Sequence, residues 1–174
     1  MNGMLSIDVS RCLSCKTCEL ECAISHSEAG TLFAIMHSAE KAQRRIVVEP
    51  AGLLSVPLQC RHCEDAPCIA VCPTQAMHRN AQAFPVLVDD TRCIGCHACI
   101  VVCPFGVISK SRMGKAVVKC DLCIRRLAKG QIPACAAGCP THAIRYTTPE
   151  EVAQEARRRS AESYLVAVER GSAR

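Results

Sequence analysis

Aromatic side chains are almost missing from this sequence. It has no tryptophan, two tyrosines and three phenylalanines among 174 residues. Its nominal hydrophobicity of 49% counts the cysteines; without them the share falls to about 40%, a little below an ordinary globular domain. Large apolar side chains therefore cannot fill the interior alone, and something else must occupy the middle. No apolar run approaches the ~18 residues that a membrane span requires, since the stretch from Ala98 to Ile108 is short and broken at Cys103-Pro104. The first residues, Met1 to Asp8, show neither a positive n-region nor an apolar h-region, so the expected location is cytoplasmic. No Gly-rich nucleotide loop, flavin fingerprint or nucleophile–base pair is present, and Gly114 and Gly130 are isolated turn candidates. The expectation is a chain without catalytic apparatus of its own.

What the sequence has in excess is cysteine. Sixteen in 174 residues, about 9%, is a density usually met in disulfide scaffolds of secreted domains. In a reducing compartment clustered cysteines more often bind metal. The formal charge of +5 is mildly basic, a balance also met in nucleic-acid-binding chains. Thiolates that hold metal would add negative charge and reverse it. Lysine and arginine then read as charge compensation, and no nucleic-acid partner is expected.

The cysteines fall into four groups of four. Cys12, Cys15, Cys18 and Cys22 are spaced C-x2-C-x2-C-x3-C. Cys60, Cys63, Cys68 and Cys72 follow C-x2-C-x4-C-x3-C. Cys93, Cys96, Cys99 and Cys103 return to the first spacing, and Cys120, Cys123, Cys135 and Cys139 carry an 11-residue insertion in the middle. Three groups close with Cys-Pro and a similar run: Cys72-Pro73-Thr74-Gln75-Ala76-Met77, Cys103-Pro104-Phe105-Gly106-Val107-Ile108 and Cys139-Pro140-Thr141-His142-Ala143-Ile144. Such self-similarity marks an internal repeat. The first group departs from it, because Ala23 and not proline follows Cys22.

These spacings suit a cuboidal 4Fe–4S cluster. A C-x2-C-x2-C loop presents three sulfurs to one cube while backbone amides point inward. The fourth cysteine, three residues on, faces away, and in the bacterial ferredoxin pattern it ligates the other cluster of a pair. The proline after it turns the chain out of the helix. Zinc is the alternative for any one group taken alone, but zinc modules usually pair two separated C-x2-C knuckles, and here four sets of four leave no cysteine over. With all sixteen matched, His26, His37, His62, His78, His97 and His142 are not needed as ligands; His62 and His97 sit inside cluster loops, where hydrogen bonding or packing is expected. Lys110, Arg112, Lys115 and Lys119 flank the third and fourth groups and suit either charge balance or tuning of nearby potentials.

The four-group layout, the run Cys60-Arg61-His62-Cys63-Glu64-Asp65-Ala66-Pro67-Cys68 and the elongated fourth group carry a more specific likeness. Over residues 5 to 146 the sequence resembles the four-cluster ferredoxin-type electron-transfer subunits of formate dehydrogenase, dimethyl sulfoxide reductase, carbon monoxide dehydrogenase and tungsten aldehyde oxidoreductase complexes. The resemblance implies that group one pairs with group four and group two with group three. One cluster would use Cys12, Cys15, Cys18 and Cys139, and its neighbour Cys22, Cys120, Cys123 and Cys135. A third would use Cys60, Cys63, Cys68 and Cys103, and a fourth Cys72, Cys93, Cys96 and Cys99. It implies an α+β fold of two bacterial-ferredoxin-like halves related by a pseudo-twofold, with four clusters in a row and the segment between Cys22 and Cys60 outside. It also implies a wiring subunit of a soluble complex, serving a large molybdenum or tungsten enzyme such as an aldehyde or formate oxidoreductase. A flavin or other electron-acceptor subunit is a further partner, and copies stacked end to end would make a longer wire. The alternatives are a ferredoxin of a carbon monoxide dehydrogenase or hydrogenase, or a free diffusible polyferredoxin.

Between the groups the pattern predicts short strands. Ile46 to Glu49 and Leu53 to Val56 flank Pro50-Ala51-Gly52, whose Pro and Gly suit the second and fourth positions of a type I turn. Ala83 to Asp89 leads into group three, and Val107 to Ser109 and Ala116 to Val118 flank a turn at Met113-Gly114. The double-ferredoxin unit is expected over 1–147, half one from groups one and four and half two from groups two and three, with 23–59 as an insert that contains Arg44-Arg45 and, as a region, helps choose a partner. A helical extension is expected over 148–174, with Thr148 as N-cap, Pro149 at N1 and Glu151 at N3, helical to about Arg159. Arg157-Arg158-Arg159 reads as solvated surface or a docking point.

Overall fold

The computed structural model describes residues 3–39, 41–80 and 85–172, and side chains as far as 168. Among these residues the chain is a small α+β protein of short elements. In order they are β1 (Met4–Ile7), a 3-10 turn at Val9–Arg11, α1 (Thr17–Ser25), α2 (Leu32–Met36), β2 (Ile46–Ala51), β3 (Leu54–Gln59), α3 (Pro67–Ala70), β4 (Met77–Arg79) and β5 (Val86–Val88). Then come α4 (Ala98–Val101), β6 (Ser109–Lys110), β7 (Val117–Val118), α5 (Ile124–Leu127), α6 (Ala134–Ala137), β8 (Ile144–Thr147) and α7 (Pro149–Ser172). Four two-stranded antiparallel pairs form, β1 with β8, β2 with β3, β4 with β5 and β6 with β7.

The Cys-Pro steps explain why most helices are a single turn. Helices α3, α4 and α6 end before Cys72, Cys103 and Cys139, because the residue before a proline is pushed away from helical backbone. The third residue after each of these cysteines has positive φ: Gln75 (53°), Gly106 (61°) and His142 (53°). Each reverses the chain into its next segment. Cys22 lacks the proline, and there the helix runs on, so Cys22 lies inside nine-residue α1.

Two buried cores organise the chain. One gathers Leu5, Ile46, Val48, Leu122, Ala136 and Ile144 around Cys18, Cys22, Cys135 and Cys139. The other gathers Ala76, Met77, Val86, Ile108 and Val117 around Cys68, Cys93 and Cys99. Helix α1 of group one packs on α6 of group four, and α3 of group two packs on α4 of group three.

Three expectations change. The turn between β2 and β3 is not at Pro50: Ala51 pairs with Leu54 and Pro50 pairs with Ser55 inside the ladder. Gly52, at φ +63°, and Leu53 form a two-residue turn with positive φ at its first position only, which matches strand twist better than a type I turn. The segment between Cys22 and Cys60 is not simply outside, since Ile46 and Val48 belong to the first core. Helix α7 continues past Arg159 to Ser172, because no proline or glycine interrupts it before Gly171. Its start is as expected: Thr148 N–H donates to Glu151 Oε2 at 2.8 Å and Glu151 N–H donates to Thr148 Oγ1 at 3.2 Å, a capping box. Of the stretch Ala83 to Asp89, Ala83 and Phe84 lie outside the described residues; Val86–Val88 forms the expected strand.

Candidate metal centre

The cysteine loops are shaped by residues forced into left-handed backbone. In group one Ser14 and Lys16 have φ of 59° and 58°; in group three the corresponding Gly95 and His97 have 72° and 63°. His62 and Leu122 occupy the same place in groups two and four. Alternating right- and left-handed residues turn successive N–H groups to one side, a nest suited to negative charge. Gly95 is required: a Cβ there would stand 2.5 Å from the Lys115 carbonyl oxygen.

The loops bring the cysteines together in sets that cross the groups. Cys72 lines one small cavity with Cys93, Cys96 and Cys99. A second is lined by Cys60, Cys63, Cys68 and the distant Cys103. Cys135 has Cys120, Cys22, Cys123 and Cys18 close enough to act on its ionisation, and Cys18 has Cys139 and Cys15. Cys12 packs against the same core as Cys18 and Cys139.

Burial pushes the thiols of Cys18 and Cys99 up to about 11, and those of Cys120 and Cys135 higher still. Such thiols stay protonated at neutral pH unless a soft cation takes the proton's place. Sixteen unpaired cysteines brought together by loops of this kind suit thiophilic iron. The residues present therefore fit 4Fe–4S clusters.

Backbone donors surround the sulfurs. Arg45 N–H donates to Cys22 Sγ (3.2 Å), His62 N–H to Cys60 Sγ (3.4 Å), Leu122 N–H to Cys120 Sγ (3.4 Å) and Met77 N–H to Cys72 Sγ (3.5 Å). Thr17 Oγ1 donates to Cys15 Sγ at 3.4 Å, and this bond draws that thiol downward. Cys15 and Cys96 are exposed.

No sequence pattern marks the brace beside group four. Asp121 Oδ1 lies 3.0 Å from His26 Nε2 and 2.9 Å from Cys123 N–H, while Arg45 Nη1 donates to Asp121 Oδ2 at 2.9 Å. His26 Nδ1 is 2.8 Å from the Cys22 carbonyl. Burial is the strongest single influence and opposes a charged imidazole, but the bonds to Asp121, Cys123 and Cys22 together with the Asp121 charge outweigh it and draw the His26 pKa up. Burial likewise pushes Asp121 up, and His26 with Arg45 holds its carboxyl well below the usual range. His26, Asp121 and Cys123 converge as three metal ligands would, yet the two carboxylate oxygens are already bonded to Arg45, His26 and Cys123 N–H. Arg44 Nε lies 3.2 Å from Glu19 Oε2, with its side chain 44% exposed. His62 is buried and held neutral by desolvation, its ionisation drawn down to about 3, and its Nδ1 accepts from Val86 N–H at 3.1 Å. That is the hydrogen-bonding part expected for it.

Among the described residues no helix is long and apolar enough to cross a membrane. The model of the 4Fe–4S dicluster domain matches residues 52–148, which takes in groups two, three and four. The chain is 38% identical to the electron transport protein HydN of Escherichia coli over 179 residues, covering 92% of this chain and 98% of that protein. It is 40% identical to an iron–sulfur protein of Rhodospirillum rubrum over 158 residues, 83% of this chain and 81% of the other. Likeness to the E. coli protein named "Probable anaerobic dimethyl sulfoxide reductase chain YnfG" is 34% over 155 residues, 86% of this chain and 75% of that one. The crossed cysteine sets, the nests of inward amides and these relatives agree: the chain belongs to the 4Fe–4S dicluster domain family, and its cysteines hold multiple 4Fe–4S clusters.

Proposed function

We propose that the chain is the electron-relay subunit of an oxidoreductase and does no substrate chemistry itself. Its sixteen cysteines hold four clusters: Cys12, Cys15, Cys18 and Cys139; Cys22, Cys120, Cys123 and Cys135; Cys60, Cys63, Cys68 and Cys103; and Cys72, Cys93, Cys96 and Cys99. The observation that carries this reading is the pair of cavities lined by Cys72 with group three and by Cys103 with group two. Each takes its fourth sulfur from the other repeat. When bound, 4Fe–4S clusters accept and give up single electrons at potentials set by charge, hydrogen bonds and exposure. The protein's part is to fix four thiolates per set, aim N–H donors at them and exclude water from the buried ones.

Two ferredoxin-like halves over 1–147 are supported by the separate cores and by the matching contacts of α1 with α6 and α3 with α4. The helical extension over 148–174 is pinned at its start by Arg145 to Glu155 (2.5 Å). Farther along it exposes Tyr164, Leu165 and Val168, which supports a fixed partner over a free shuttle. The name of YnfG, a probable dimethyl sulfoxide reductase chain, supports a catalytic oxidoreductase partner, the family resemblance implies one of the molybdenum or tungsten class, and unpaired thiols suit the reducing cytoplasm. Purification from native extract under argon tests the proposal. A brown chain co-eluting with a large oxidoreductase subunit is the expected result; elution as a lone brown species overturns the subunit reading.

A further inference from the structure

Lys119 is one of the few buried charged residues, at 3% exposure. Its Nζ donates to the carbonyl oxygens of Val86 and of Cys120, the latter at 2.9 Å. Among the described residues no carboxylate forms an ion pair with it, and the nearby Asp121 is already engaged by Arg45 and His26. Burying an ammonium is expensive unless negative charge compensates it. Two carbonyl dipoles satisfy hydrogen bonds but leave the full charge uncompensated.

The location supplies the missing charge. Val86, whose carbonyl takes one bond, lines the cavity of Cys60, Cys63, Cys68 and Cys103. Cys120, whose carbonyl takes the other, belongs to the set with Cys22, Cys123 and Cys135. The lysine charge also reaches Cys68. Lys119 thus stands between two thiolate sets, each carrying about −2 when loaded. A fixed cation favours the more negative, reduced state of both neighbours. Among the described residues Lys119 is the only buried lysine or arginine, so the Cys15 and Cys96 sets have no comparable cation beside them.

We infer that Lys119 is a positioning residue for electrons: it raises the reduction potentials of the Cys120 and Cys60 sets above those of the Cys15 and Cys96 sets, so that the first electron taken up resides between the two cores. The inference rests on the four sets proposed above and adds a fixed ordering to them.

The test is an EPR-monitored redox titration of the anaerobic, fully loaded chain and of Lys119→Met and Lys119→Arg. In Lys119→Met the highest-potential step should fall by at least tenfold in its reduction equilibrium constant, about 59 mV for one electron, with iron content unchanged. Lys119→Arg keeps the charge and should titrate close to the parent. Parent potentials in Lys119→Met overturn the inference and leave Lys119 a structural staple. If Lys119→Met fails to load iron, Cys15→Ser and Cys96→Ser decide instead, since each marks one outer set. The first-reduced signal should survive in both, and its loss or shift in either overturns the ordering. Failure of the four-set reading shows separately, as iron short of four atoms per set in the parent chain.

Discussion

Replacing Asp121 with alanine removes three bonds at once: to His26, to Arg45 and to Cys123 N–H. All three partners touch the Cys22, Cys120, Cys123 and Cys135 set. Arg45 N–H and His26 bond to Cys22 atoms, and Cys123 is itself a member. Breaking a fully buried ion pair costs roughly 3–5 kcal/mol, and an exposed one about 1 or less. Here the side chains are 21% (Asp121), 25% (Arg45) and 11% (His26) exposed, so about 2–3 kcal/mol is expected, roughly a 30- to 150-fold increase in local opening. The assay is iron release to a chelator under argon, followed by loss of visible absorption. The parent should bleach in one slow process, whereas Asp121→Ala should show a fast phase carrying one set's share of iron. Asp121→Asn, which keeps the acceptor to Cys123 but not the charge, should fall between them. Uniform bleaching at the parent rate in Asp121→Ala would refute the idea that this brace holds the set together.

Other consequences are as definite. Cys22→Ser should damage the set nucleated by Cys120, Cys123 and Cys135 and spare the one beside Cys12; loss of the Cys12 signal by EPR would show that the sulfurs are not exchanged. Thr148→Ala removes half of the capping box and should loosen α7 by about 1 kcal/mol, read as faster hydrogen exchange at residues 150–155 with the iron signals untouched. The α7 anchor should also weaken in acid. Glu151 is held below its ordinary 4.5 first by the Thr147 hydroxyl, and Glu155 first by Arg145. A carboxylate with a lowered folded value stabilises above its unfolded value and loses that contribution as pH falls through the folded one. Protection of the first turns of α7, corrected for intrinsic exchange, should therefore drop as pH falls below the ordinary carboxylate value of 4.5, and flat protection would contradict the contacts.

The four cysteine groups were legible in the sequence because ligand spacing is local and repeats, whereas the pairing of distant groups is implied only by the family resemblance. Thr148, Pro149 and Glu151 announced the start of α7 for the same reason: a cap is written within four residues. What stayed hidden depends on residues far apart in the chain. Asp121 meets Arg45 across 76 positions, and no pattern around either marks the pairing. Lys119 read as one surface cation among several until the strand at Val86 closed over it. The turn at Gly52 was misplaced because Pro50 is a strong turn signal, yet a proline whose missing N–H faces away from the ladder fits an edge strand. The segment from 23 to 59 looked like an outer insertion because it holds no cysteine, but Ile46 and Val48 fill the space beside the cysteine loops that aromatic residues would fill elsewhere.

The account stands most directly on the metal content of the freshly prepared, anaerobic chain, measured against quantitative amino-acid analysis. Four iron and four acid-labile sulfide for each of the four cysteine sets is the predicted result. Iron sufficient for only two sets, or zinc in place of iron without sulfide, would contradict it.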